Sequence, residues 1–157
     1  MAGEQTNLAR DFVDLLRAFI DHEVRFLIVG AYALAVHGRP RATGDLDVWI
    51  DATPENARRA MTALRAFGAP LAELREADLS TPGVVFQIGV EPLRIDILTS
   101  ISGVSFADAW PERVVAPFDG IEVPAIGRDH FLINKRAAAR PQDLVDLRKL
   151  ERRGPRE

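Results

Sequence analysis

A chain of 157 residues with 47% hydrophobic and 27% charged side chains has the size and composition of one ordinary globular domain, able to bury about 70% of its unfolded surface. It contains no cysteine, which excludes a disulfide framework, thiol catalysis and a cysteine zinc site. The net charge of −3 argues against broad, charge-driven nucleic-acid binding but leaves room for a local basic patch.

The opening MAGEQTNLARDF has no basic segment leading into an apolar run, so no signal peptide is read there. No apolar run reaches membrane-spanning length. A cytoplasmic protein without membrane contact is the expectation. Phe12, Leu15, Leu16, Phe19 and Ile20 recur at helical spacing and predict an amphipathic helix over about 7–22. Phe26–Val29 is a short apolar run fit for a buried strand, and Gly30 permits a tight turn into a helix over 32–36. His37-Gly38 ends that helix, and Arg39 to Gly44 form a loop. Leu46, Val48 and Ile50 alternate with Asp45 and Asp47, as on a strand. Thr53-Pro54 reads as a cap and first helical turn, opening a helix to about Phe67.

Residues 71–83 carry no clear period. Strands are predicted over 84–90 and 93–98, and a short helix over 106–110. Asp119-Gly120 between apolar runs is a strong hairpin signal. A helix follows over 127–139, then a last one from Pro141 to about Leu150, with a charged tail over 151–157 expected to fray. One domain spans 1–157, with no repeat or linker.

Asp45 and Asp47 hold the informative positions. Side chains alternate faces on a strand, so these two point the same way, with Cα atoms about 6.5 Å apart. Paired carboxylates repel, and a hard, oxygen-seeking cation such as Mg²⁺ would relieve them. For this pair alone, ordinary solvated acids at a strand end are the favoured reading. Asp96 adds a third carboxylate, flanked by Ile95 and Ile97. Burying it calls for a cation or donor partner. It reads either as a third metal ligand or as a surface acid paired with Arg94 or another arginine. Three converging acids can hold two metal ions about 4 Å apart, clamping the attacking and leaving oxygens of a phosphoryl displacement. His22, His37 and His130 are scattered and show no metal spacing.

Three segments, GAYALAVHGRPRATGDLDVWID, LRIDILTSISGVSF and KRAAARPQDLVDLRKL, together resemble the polymerase-β-type nucleotidyltransferase superfamily. The closer similarity is to small prokaryotic abortive-infection and toxin–antitoxin nucleotidyltransferases. The resemblance implies an α/β chain with a minimal nucleotidyltransferase fold: a mixed, twisted sheet of about five strands, with flanking helices mostly on one face. It implies Mg²⁺ or Mn²⁺ on Asp45, Asp47 and Asp96, the catalytic acids. It also implies a nucleoside triphosphate held by Gly30, Ala31, Arg41 and Lys135. Ala31 stands where many members have Ser or Gly, so phosphate contact there would fall to backbone N–H groups. The implied reaction moves a nucleoside monophosphate to a hydroxyl, on tRNA or protein in a defence setting. An antibiotic acceptor, or a catalytically inactive binding module or antitoxin, are the alternatives. A tRNA acceptor would need a local patch such as Arg39, Arg41, Lys135, Arg136 and Arg140. Asp143, Asp146 and Arg148 are expected to form an exposed salt-bridged helix face with Arg140.

Overall fold

Alternation sets the architecture. In Phe26–Val29 (β1) all four residues are buried, Phe26 and Ile28 on one face and Leu27 and Val29 on the other. A strand buried on both faces reads as a continuous apolar run and belongs in the middle of a sheet covered on both sides. A computed structural model describes residues 2–38, 44–90 and 93–153 and shows that arrangement. Six strands form one sheet: β1, β2 (Asp45–Ile50), β3 (Val85–Val90), β4 (Leu93–Leu98), β5 (Val114–Phe118) and β6 (Ile121–Ala125), in the order β3-β4-β2-β1-β6-β5. The sheet is mixed: β2 runs parallel to β4 and β1 to β6, while the other pairs are antiparallel. Six strands replace the expected five. At the Asp119-Gly120 turn, where the sequence signals a hairpin, both residues take positive φ, 48° and 95°. That turn closes a full β5–β6 hairpin, docked on β1 through Ile28 and Ala125.

Helices cover both faces, not mainly one. Helix α1 (Ala2–Asp21) and α3 (Pro54–Phe67) pack on one side, where Leu15, Leu16, Phe19, Ala57, Ala60 and Leu64 meet Leu46, Val48, Ile50, Ile95 and Ile97. Each large apolar side chain removed from water here contributes roughly 1.5–3 kcal/mol. Ile20, expected on this buried stripe, is 41% exposed. Thr53 caps α3, its hydroxyl accepting from the Asn56 N–H at 3.2 Å. The opposite face is covered by α2 (Gly30–Val36), α4 (Phe106–Ala109), α5 (Arg128–Ala138) and α6 (Pro141–Arg153), around Leu27, Val29 and Trp49. Helix α6 continues to Arg153, beyond the expected stop near Leu150. Residues 71–83 resolve into turns and one 3₁₀ segment, Glu76–Ser80.

Ala139 joins α5 to α6 with φ at 53°, and its N–H bonds back to the Lys135 carbonyl at 3.0 Å. This left-handed residue ends α5. Helix α6 then packs back against α5 and brings its charged residues to the same end of the sheet as the acids of β2 and β4.

Candidate active site

The register between β2 and β4 places Asp45 opposite Arg94 and Asp47 opposite Asp96. Leu46, Val48, Ile95 and Ile97 take the face toward α1 and α3. Alternation therefore turns Asp45, Asp47, Arg94 and Asp96 to the other face, alongside Trp49 and Leu98. There Asp47 borders a cleft of about 300 Å³ also lined by Gly30, Ser100, Asn134, Lys135 and Arg140, among others.

Arg94 stands between two of the acids. Its Nε donates to Asp96 Oδ1 at 3.0 Å, and its Nη2 reaches Asp96 Oδ2 and Asp45 Oδ2, each at 3.3 Å. Asp47 has no such support: no hydrogen-bond donor among the described residues reaches its carboxylate. Burial pushes the Asp47 carboxyl up to about 6, and the neighbouring Asp96 and Asp45 charges add to the rise, only partly offset by Lys135 and Arg94. Tyr32, on α2, is raised above its usual value by burial and then by Asp45.

Gly30 makes room for Asp47. Its φ is 72°, and a Cβ built there would lie 2.2 Å from Asp47 Oδ2. Any other residue would meet both a left-handed backbone and the carboxylate itself. Ala31 begins the exit from that turn and is buried.

A second charged cluster closes the far side of the cleft. Lys135 is only 4% exposed, and its Nζ donates to Asp143 Oδ1 at 3.0 Å and lies 3.4 Å from Asp146 Oδ2. Arg140 forks onto Asp143, with Nε to Oδ2 at 2.6 Å and Nη2 to Oδ1 at 3.1 Å. Gln142 Nε2 donates to Asp146 Oδ1 at 2.8 Å. Burial alone would raise Asp143, but its bonds from Arg140 and Lys135 outweigh that and hold it at about 2.

The expected exposed helix face is therefore corrected. Asp143 and Asp146 are buried; Arg148 alone of the α6 charges named with them is exposed. Asp143, Asp146, Leu147 and Leu150 share one buried stripe. Their spacing of three, four and seven residues was the signal that places both acids inside. Lys135 is likewise interior, so it does not join exposed Arg136 in a basic surface.

Of the sequence-derived site residues, Gly30, Asp47 and Lys135 border one cleft, and Asp45 and Asp96 adjoin Asp47 on the same sheet face. Arg41, with Arg39 and Thr43, lies outside the described residues. Sequence reasoning did not count Arg94 as a site residue; it appeared only as a partner for Asp96, and that pairing is present. It also missed Asn134, which lines the cleft wall with Ser100 and Ser102. Ser100 and Ser102 follow the end of a parallel strand, where open α/β sheets gather ligands.

The acids fit a hard divalent cation by chemistry. They offer oxygen donors on adjacent strands, and one carboxylate is pushed up by burial and then by its like-charged neighbours. No set of three acidic or histidine side chains among the described residues is already spaced as a metal cage. Arg94 holds two of the carboxylates instead.

The fold is similar to that of solved nucleotidyltransferase structures. The chain is similar to the crystal structure of TM1012 from Thermotoga maritima, described as a candidate nucleotidyltransferase, with TM-score 0.62, 13% identity and 92% of each chain covered. It is similar also to the lincosamide antibiotic adenylyltransferase LnuA, with lincomycin bound, at TM-score 0.57 and 13% identity, covering 90% of this chain and 95% of that one. No family model and no curated relative matches the sequence. No helix among the described residues is long and apolar enough to cross a membrane.

Proposed function

We propose that this protein is a metal-dependent nucleotidyltransferase that moves a nucleoside monophosphate from a nucleoside triphosphate to a hydroxyl. One observation carries the reading: Asp45, Asp47 and Asp96 meet on one sheet face through the β2–β4 register, beside a cleft that holds Lys135 and Arg140. Asp45, Asp47 and Asp96 would hold Mg²⁺ or Mn²⁺. Bound there, the metal would neutralise charge on the phosphates and acidify the attacking hydroxyl. The acceptor oxygen bonds to the α-phosphorus, and the bond from that phosphorus to the bridging oxygen breaks. Pyrophosphate leaves with the electron pair, and Asp96 takes the hydroxyl proton as general base. Lys135 and Arg140 face the triphosphate side. Gly30 seats Asp47, and backbone N–H groups at Gly30 and Ala31 serve in place of a serine hydroxyl.

An RNA or protein acceptor follows from the sequence resemblance. A second reading, a small hydroxylated acceptor such as an antibiotic, is favoured by the LnuA likeness, because this chain spans 95% of a protein that acts on a lincosamide. The test is incubation with each labelled nucleoside triphosphate and Mg²⁺ or Mn²⁺, against a tRNA pool, a cell lysate and aminoglycoside and lincosamide panels. Label should pass to one acceptor class and fall by roughly 10³-fold in Asp47→Asn, about 4 kcal/mol of transition-state stabilisation. No transfer to any acceptor, together with no triphosphate-induced thermal shift, would leave only a binding module.

A further inference from the structure

The position between Asp45 and Asp96 is held by a cation the protein supplies itself. Arg94 lies opposite Asp45 in the register and two residues before Asp96 on the same strand face. Its guanidinium therefore spans both carboxylates. The grip is loose. Charge-assisted N–H···O⁻ bonds usually run to 2.7–2.9 Å; those from Nη2 are 3.3 Å and that from Nε is 3.0 Å. The side chain is 26% exposed, so it has a path outward. Asp47, in register with Asp96, gains no donor from it.

We propose that Arg94 is a positioning residue that occupies the acid cluster as an internal counter-ion and moves aside when a divalent cation enters with the nucleotide. This rests on the nucleotidyltransferase reading above. A triphosphate supplies what the displaced guanidinium needs, because its anionic oxygens accept the planar fork as a carboxylate does. Metal and nucleotide are then coupled through one side chain. Metal alone competes with Arg94; with nucleotide present, Arg94 has another partner. Linkage makes the effect reciprocal.

The experiment is Mn²⁺ titration by calorimetry of the full chain, as wild type, Arg94→Lys and Arg94→Gln. Each is measured with and without a non-hydrolysable α,β-imido nucleoside triphosphate. Without nucleotide, Arg94→Gln should bind Mn²⁺ roughly tenfold tighter than wild type, within the usual range of coupling between sites. Arg94→Lys, which keeps the charge, should stay near wild type. With the analogue bound, the gap between Arg94→Gln and wild type should close. Equal Mn²⁺ affinity in wild type and Arg94→Gln, lost in both when Asp47→Asn is added, would overturn the counter-ion role while leaving the metal site standing. No Mn²⁺ binding by any form, with or without nucleotide, would overturn the nucleotidyltransferase reading and this inference with it. Arg94→Met supplies a second neutral side chain of similar length should the glutamine variant fail to fold. The melting-temperature gain on adding Mn²⁺ gives a second readout, larger in either neutral variant than in wild type.

Discussion

Two charged clusters flank one cleft, and they treat the same side chain in opposite ways. Around Lys135, burial is matched by donors: Asp143 takes bonds from Lys135 and Arg140 and is held at about 2. Around Arg94, the guanidinium bonds Asp45 and Asp96, while burial, with the charges of Asp96 and Asp45, pushes Asp47 up to about 6. An aspartate at 1% exposure is thus kept ionised, while a less buried one is driven toward protonation. Burial raises both; the donors reaching each carboxylate decide the outcome. The first cluster is built as a brace. In the second, no donor among the described residues reaches Asp47, at the place where a metal and a triphosphate would bring positive charge.

The contrast breaks most sharply at Lys135. Lys135→Met leaves Asp143 and Asp146 buried with less compensation. Removing one partner of a buried ion pair costs roughly 3–5 kcal/mol, so melting should fall by about 10 °C. A melting point within a degree or two of wild type would show that the cluster is not a brace. The next effect is in acid. Asp143 sits at about 2 when folded, against 3.8 unperturbed, so the unfolded chain binds more protons between those values. The stability it supplies is full above about pH 4 and drains as pH falls toward 2, by roughly 2 kcal/mol. Urea midpoints measured across that window should drop in wild type and flatten in Asp143→Asn; parallel curves would contradict this. The smallest effect has the opposite sign. Like charges directly opposite on neighbouring strands cost roughly 0.2–1 kcal/mol. Asp47→Asn should therefore raise the metal-free melting temperature by about 2–3 °C while abolishing transfer. A lower melting point would mean that Asp47 is supported by something other than a metal.

The strand carrying Asp45 and Asp47 was legible because Leu46, Val48 and Ile50 alternate with them, and Asp96 because Ile95 and Ile97 do the same. Which strands become neighbours was not. Alternation fixes faces, but Asp47 opposite Asp96 depends on β4 crossing over to lie beside β2 rather than beside β1. The two-sided helix cover was hidden for a related reason: β1 reads as one apolar run, and a run does not say which helix takes which face. Asp143 and Asp146 were misplaced because charge outweighed period. Their positions relative to Leu147 and Leu150 put them inside, but the lysine that makes this tolerable lies on the preceding helix, across the left-handed turn at Ala139.

The bare α-carbon of Gly30 has a consequence for how this site can change over generations. The volume a methyl group would fill there is taken by the carboxylate of Asp47, so the two positions form one heritable unit. A side chain cannot arise at position 30 while the acid remains without displacing it, whereas the acid can be lost with the glycine still in place. Under the proposed activity, decay of catalysis therefore has an order: the aspartate goes first, and only then does position 30 lose the clash that kept it bare. This chain retains both.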